Sequence, residues 1–383
     1  MKKNRCLLCA MLLVIIVFAS SCPTESSSDE ETFSFGIGIN IGNTLDSIGT
    51  HTWLAGETGW GNPRITKEFI GALSAYGYKT IRLPVTWAEN IGSSPRYTID
   101  EAWMDRVEEV VNWILDEGLV CILNIHHDGG HADKSWILRI STNEDETLNQ
   151  FKIVWRQIAD RFRNSSQRLI LESMNEVGFD DIWNRWSGNA ALKAQAYRKL
   201  NLLNQAFVDT VRATGGNNAQ RQLLIAGYWT DVEQTCDPLF EMPADVIEDR
   251  LLVSVHYYTP PTFCIAEDPD NSWGFRATWG TSQDMDELSK YINMLKVRFI
   301  DNGIPVVMGE YGVTKSNKDE ISRVKWMTAV TQACIDNDIV PILWDTGINP
   351  ERNNFSGEIH RYPPFAMTDT LKEVLASLKM KDD

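Results

Sequence analysis

Two glutamates in this chain sit where a carboxyl group is seldom idle. Glu176 lies in the stretch Leu169–Gly178, reading Leu-Ile-Leu-Glu-Ser-Met-Asn-Glu-Val-Gly. The apolar start of that stretch suits a strand buried on both faces. A carboxyl group just past such a strand is desolvated, which raises its pKa and favours the neutral form that a general acid needs. A strand that merely runs out into solvent would carry the same residue, so Glu176 alone is ambiguous. Glu310 follows a second apolar run, Ile304–Met308. Two carboxyl groups flanking one bond can hydrolyse a glycosidic linkage. One protonates the leaving oxygen, while the other attacks carbon or activates water. A separation of about 5–5.5 Å implies retention of configuration, and a wider one inversion. No G-x-S-x-G is present, so nothing here has the pattern of an activated serine.

The elements that must position these groups alternate along the chain. Strands are expected at Phe35–Ile41, Lys79–Leu83, Leu119–Ile125, Arg168–Met174, Gln222–Ala226, Leu251–Val255, Ile304–Met308 and Ile339–Leu343. Helices are expected at Thr66–Tyr76, Asp100–Glu117, Asn143–Phe162, Ala190–Ala213, Asp284–Asp301, Asp319–Asp336 and Phe365–Lys379. In the second of these, Trp103, Val107, Val110, Val111 and Ile114 recur at helical spacing. Thr66 reads as an N-cap and Gly77 as a stop. Residues 231–249 read as loop with a weak helical pattern. Strands that alternate with helices imply a parallel sheet. Eight such units with no internal linker match a single-domain α/β chain folded as a (β/α)8 TIM barrel. A doubly wound open sheet is the alternative. It lacks support from any Gly-rich phosphate loop, since Gly36-x-Gly38 has no third glycine.

The polar residues fall at the ends of these strands. Asn40 and Asn43 follow the first and Arg82 ends the second. His126 and His127 end the third, Asn175 and Glu176 the fourth, His256 and Tyr258 the sixth, Glu310 the seventh and Trp344 the eighth. In a barrel all these ends meet on one face, where active sites lie. One buried histidine at a strand end is ordinarily structural. Burying so many polar groups on one face without function would repeat the desolvation cost each time.

The chain of 383 residues carries a formal net charge of −16. That argues against nucleic acid as a partner, since phosphate binding needs a basic patch. Lys2, Lys3 and Arg5 precede an apolar run, Leu7–Phe18, that is short for a bilayer span. With Ala19-Ser20-Ser21-Cys22 this reads as a signal peptide over 1–21, followed by lipidation at Cys22. The lipobox is relaxed, with Ala19 where a leucine is usual, so simple secretory cleavage is the alternative. Residues 22–34 form a polar, acidic tether with nothing to bury, and 35–383 form the barrel. Removing three positive charges with the signal takes −16 to −19. The mature protein is expected outside the cytoplasm, secreted or on the cell surface. Cys121 and Cys334 read as core thiols. Cys236 and Cys264 fall in loop-like stretches, where export permits a disulfide. No C-x-x-C for a structural zinc exists outside the signal, and no cofactor is implied.

Six segments in order carry a family resemblance. They are Gly38-Ile39-Asn40-Ile41-Gly42-Asn43, Thr80-Ile81-Arg82-Leu83-Pro84-Val85-Thr86-Trp87, Leu123-Asn124-Ile125-His126-His127-Asp128, Glu172-Ser173-Met174-Asn175-Glu176, Val255-His256-Tyr257-Tyr258 and Met308-Gly309-Glu310-Tyr311-Gly312. Over residues 35–379 the chain resembles glycoside hydrolase family 5, especially its fourth subfamily of bacterial endo-β-1,4-glucanases. The resemblance implies a retaining mechanism with Glu176 as acid/base and Glu310 as nucleophile. It implies that Arg82 keeps Glu310 ionised, that Tyr258 hydrogen-bonds it, and that Asn175 holds the sugar 2-hydroxyl. His126, His127 and His256 would line the site, and Trp344 would stack under the sugar at the cleavage point. Asn40 and Asn43 join as support.

Two departures stand out. Val177 follows the acid/base where the family favours proline, and Thr346 stands where asparagine is common in the subfamily. The implied substrates are cellulose and mixed-linkage β-glucan, with xyloglucan, xylan and mannan as alternatives, acted on by a monomer. Trp53, Trp60, Trp136, Trp183, Trp186, Trp273 and Trp279 could shape further subsites; about half are expected to reach sugar and the rest to pack. Two rivals remain. The cluster His126, His127, Asp128, His131 and Asp133 could hold a metal, though no H-E-x-x-H supports it. A lipoprotein that binds glycans without cleaving them is the other.

Overall fold

A computed structural model describes residues 34–49, 56–130, 135–179, 185–348 and 355–381, without the side chains of 185 and 186. The chain divides into two units, Met1–Thr32 and Phe33–Asp383, and the described residues all belong to the second. The signal, Cys22 and most of the tether lie outside them.

Eight parallel strands close into a barrel in sequence order. They are β1 (Gly38–Asn40), β2 (Thr80–Leu83), β3 (Val120–Asn124), β4 (Leu169–Glu172), β5 (Leu223–Asp231), β6 (Leu251–Tyr257), β7 (Val306–Tyr311) and β8 (Ile339–Leu343). The helices are α1 (Lys67–Ala75), α2 (Glu101–Asp116), α3 (Glu144–Arg161), α4 (Ala190–Ala213), the single turns α5 (Val232–Thr235) and α6 (Pro261–Cys264), α7 (Ser282–Arg298), α8 (Glu320–Asp336) and α9 (Asp369–Ser377). Their N-termini are capped by local side chains. Thr66, Asp100, Asn143, Asp319 and Thr368 each accept a backbone N–H of the first turn. Among the described residues, no helix is long and apolar enough to cross a membrane.

Side chains alternate between the two faces of each strand. Val120, Ile122, Ile170, Leu224, Leu252, Val307 and Ile342 form a plug inside the barrel. Cys121, Leu123, Leu169, Leu171, Val253 and Val255 pack outward in the main core with the helices. Two residues beyond the plug, in the same inward phase, the side chains turn polar: Asn124 after Ile122, Glu172 after Ile170, Ser254 after Leu252. All three are fully buried. The polar strand ends of the barrel are built on this layer.

Strand ends differ from the sequence expectation in both directions. β1, β3 and β4 stop a residue or more early and β2 and β8 end where expected, whereas β5, β6 and β7 run on to Asp231, Tyr257 and Tyr311. The extensions are interrupted by register shifts, between Ala226 and Asp231 in β5 and beyond Val255 and Met308 in the β6–β7–β8 pairings. A bulge breaks the period-2 pattern, so these tips read as loop. The final helix is shorter than expected, and 231–249 holds one helical turn. Cys236 and Cys264 are separate free thiols, Cys264 in the core and Cys236 half-buried beside α5. The disulfide that export would permit is not formed.

Candidate active site

The register of the barrel brings the polar strand ends together. Asn40 lies beside Arg82 across β1–β2, and His256 beside Glu310 across β6–β7. Arg82 is fully buried at the centre. Its Nε donates to Glu172 at 2.7 Å, Nη1 to Glu310 at 2.7 Å and to Asn40 at 3.0 Å, and Nη2 to Asn175 at 2.9 Å. Burial works against its charge, but Glu172 and Glu310 more than compensate and keep it protonated. Asn40 anchors this group to the barrel wall by donating to the Gly309 carbonyl at 2.8 Å.

Glu310 takes Nη1 of Arg82 on one oxygen and the Tyr258 hydroxyl on the other, at 3.0 Å. Tyr258 stays protonated, because burial and the Glu310 charge push its pKa well above the usual value. Glu176 has a different setting. Its side chain is 42% exposed to the cleft, against 7% for Glu310. Nδ1 of His256 lies 2.8 Å from Glu176 and 3.7 Å from Glu310, and oxygens of the two glutamates lie within 4.8 Å of each other. Burial raises Glu310 against the pull of His256 and Arg82. Burial also acts on Glu176, but the His256 contact overrides it and holds that carboxyl below the ordinary range. Both carboxyl groups face one histidine nitrogen, so the protonation of each depends on the other.

His126 and Trp344 form the floor. Their rings stack 5.8 Å apart and 1° from parallel. Trp344 lies over Gly42, where a Cβ would fall 2.9 Å from the indole. His127 sits edge-on to His126, and Trp60 packs 5.5 Å from His127. Burial keeps both histidines neutral, His127 with a pKa of about 4. Asn43 forms a left-handed turn whose N–H donates to Asp46 at 3.0 Å; the barrel places it in the loop rather than against the glutamates.

The other aromatic candidates divide. Trp136 donates to Asp128 at 2.6 Å and is buried, as is Trp279, so both are packing. Trp273 is 46% exposed. Trp53, Trp183 and the Trp186 side chain lie outside the described residues. Of the cluster considered for a metal, His131 and Asp133 also lie outside them, and Asp128 is occupied by the Trp87 N–H and the Trp136 indole. Asp46, His126 and His127 have ligand atoms within 4.8 Å of one another, as do Glu176, His256 and Glu310.

Sequence reasoning passed over Glu172, Asn124 and Ser254 as site residues. Glu172 accepts from Arg82 and, at 2.7 Å, from Ser254. Their inward phase, two residues beyond the apolar plug, was the available signal. Val177 is buried, and its N–H donates to the Asn175 carbonyl at 3.1 Å, a bond that proline could not make. Thr346 is buried, and its carbonyl accepts from Asn62 at 2.9 Å.

Known proteins resemble this chain in sequence and fold. The family model described as cellulase (glycosyl hydrolase family 5) matches residues 42–350. Endoglucanase A of Paenibacillus barcinonensis is 38% identical over 340 residues, spanning 83% of this chain and 82% of that protein. The solved structure of a broad-specificity endoglucanase of family 5, subfamily 4, from an uncultured bovine rumen ciliate superimposes with a TM-score of 0.78 at 36% identity, covering 89% of this chain and 94% of that one. A family 5 xyloglucanase from Paenibacillus pabuli gives 0.79 at 35% identity, covering 89% and 97%.

Proposed function

The chain belongs to glycosyl hydrolase family 5, and from that premise we propose that it is an endo-β-1,4-glucanase that cleaves with retention, with Glu310 as nucleophile and Glu176 as acid/base. One observation carries this reading: two carboxylates from β4 and β7 have oxygens within 4.8 Å of each other, joined by one histidine nitrogen. That closeness fits the spacing of about 5–5.5 Å in retaining enzymes, and leaves no room for the water of an inverting one.

In the first step a Glu310 oxygen bonds to the anomeric carbon as the carbon–oxygen bond to the leaving sugar breaks. Glu176 gives its proton to that oxygen. In the second, Glu176 takes a proton from water, the water oxygen bonds to the same carbon, and Glu310 departs as carboxylate. Arg82 and Tyr258 hold Glu310 in line, and Asn175, oriented by Arg82, meets the sugar 2-hydroxyl. Glu176 must be neutral and Glu310 charged when substrate arrives. While it faces Glu176, His256 favours the charged form of both carboxyl groups and so works against the acid's proton. Nδ1 lies only 3.7 Å from Glu310 as well, so a small turn of the ring toward Glu310 would release Glu176 to hold a proton. Trp344 and His126 supply the flat floor under the sugar.

Cellulose and mixed-linkage β-glucan are the leading substrates. The xyloglucanase of Paenibacillus pabuli supports xyloglucan as the alternative. Reducing ends released from a panel of β-glucans, xylan and mannan test the substrate class. Proton NMR of the first product tests the stereochemistry: the β-anomer must appear first, and the α-anomer would overturn retention.

The basic and apolar residues before Cys22 support export, with a lipid at Cys22 anchoring a monomeric enzyme at the cell surface. Labelled palmitate should enter the wild-type protein and not Cys22→Ala. Equal labelling of both, or of neither, would overturn the anchor.

A further inference from the structure

Glu310 is braced by Arg82 and Tyr258, but among the described residues Glu176 has only His256 at its carboxyl group. Its position therefore depends on the backbone turn that carries it. That turn is gripped from β5. After Ala226 the strand leaves its register and resumes at Asp231, opposite His256. Between them Trp229 and Thr230 take φ of 53° and 50°, a left-handed conformation that bulky and β-branched residues rarely adopt. Burial holds the bulge, with Thr230 fully enclosed and Asp231 capping α5 through Gln234 at 2.9 Å.

The bulge spends its contacts on the acid/base turn. The Trp229 N–H donates to the Val177 carbonyl at 2.9 Å, and the Tyr228 hydroxyl accepts the Phe179 N–H at 2.9 Å. The Trp229 indole lies on Gly178 so closely that a Cβ there would fall 2.1 Å from Nε1. From the other side Val177 presses on Gly129, where a Cβ would fall 2.4 Å from its Cγ2. The Val177 N–H closes the turn on Asn175 at 3.1 Å. Val177 leaves this turn without the stiff ring of a proline, so its rigidity comes from these contacts. Backbone strain of this kind persists where the surroundings over-determine it, often beside a working group.

We propose that Trp229 is a positioning residue for Glu176, holding the acid/base turn through its amide and its indole. This rests on the reading of Glu176 as acid/base. In the first step, which kcat/KM reads, a misplaced acid harms only bonds whose leaving group needs a proton. The test compares kcat/KM of Trp229→Ala, Trp229→Phe and wild type on cellotetraose and on 2,4-dinitrophenyl β-cellobioside, whose leaving group departs unprotonated. For Trp229→Ala, cellotetraose cleavage should fall by about 10- to 100-fold, while the dinitrophenyl glycoside stays within about twofold, against a general-acid contribution of order 10²–10⁴. Trp229→Phe should recover most of the loss. Equal falls on both substrates, which misfolding would also give, or no fall on either, overturn the proposal. Glu176→Ala is run alongside. If it shows no split between substrates, the acid/base reading itself fails. If it splits and Trp229→Ala does not, only the role of Trp229 fails.

Discussion

His256 places Nδ1 2.8 Å from an oxygen of Glu176. Its other nitrogen, Nε2, is buried without a hydrogen-bond partner among the described residues. A donor there would be stranded, so the ring proton belongs on Nδ1, where it meets the carboxylate. The histidine thereby favours the charged form of Glu176, and its pull acts in the same direction on Glu310.

The pH profile should follow from this. In the proposed roles, Glu310 must be ionised, which sets the acid limb, and Glu176 protonated, which sets the alkaline limb. His256 lowers both, so His256→Asn should move both limbs of the kcat/KM profile to higher pH, with a lower maximum. A profile that stays in place, or moves to lower pH, refutes the coupling.

Glu310→Ala should abolish polysaccharide turnover, by roughly 10⁴-fold or more. Added azide should restore cleavage and give the α-glycosyl azide, since a small anion can enter where the carboxylate was. Reducing-end release that remains near wild type would remove Glu310 from the nucleophile's place.

Glu172 touches neither of the two glutamates, yet its loss should be severe. With Glu172→Ala, Arg82 stays buried beside Glu310 with one of its two carboxylate partners gone. Breaking such a pair costs about 3–5 kcal/mol. Glu172→Gln keeps an acceptor for Arg82 and should lose less. Urea unfolding of the three proteins checks the order, and Glu172→Ala as stable as wild type contradicts it.

Asp128 should make stability fall with rising pH. Burial lifts its pKa from 3.8 to about 7, against the lowering bonds from Trp87 and Trp136. The folded state therefore binds this proton more tightly than the unfolded one. The contribution is complete below about pH 4 and is lost as pH rises through 7. Asp128→Asn does not titrate and leaves one N–H donor poorly matched, so it starts weaker. Its deficit should shrink by up to roughly 3 kcal/mol between pH 5 and 8. Thermal melts of both proteins across that range read it directly, and a constant deficit counts against the shift.

Much of this protein was legible in one dimension. Strand and helix periods differ, so the order of eight units and the (β/α)8 closure followed from spacing. Polar residues that interrupt apolar runs marked the catalytic face, and Asn40, Arg82, His126, Asn175, His256, Tyr258, Glu310 and Trp344 do converge there. Which of them touch was decided by the register of the closed barrel. Arg82 meets Glu172 and Glu310 across 90 and 228 residues of chain, distances that no local pattern spans. Whether Trp136 packed or faced the cleft, and whether Cys236 met Cys264, likewise depended on loops folding over the core. The bulge at Trp229 was hidden for a related reason. A bulge breaks the alternation from which strands are read, and its left-handed residues are stable only because β4 and α5 press on them. Local sequence determined which residues face inward; tertiary closure decided which partners they found.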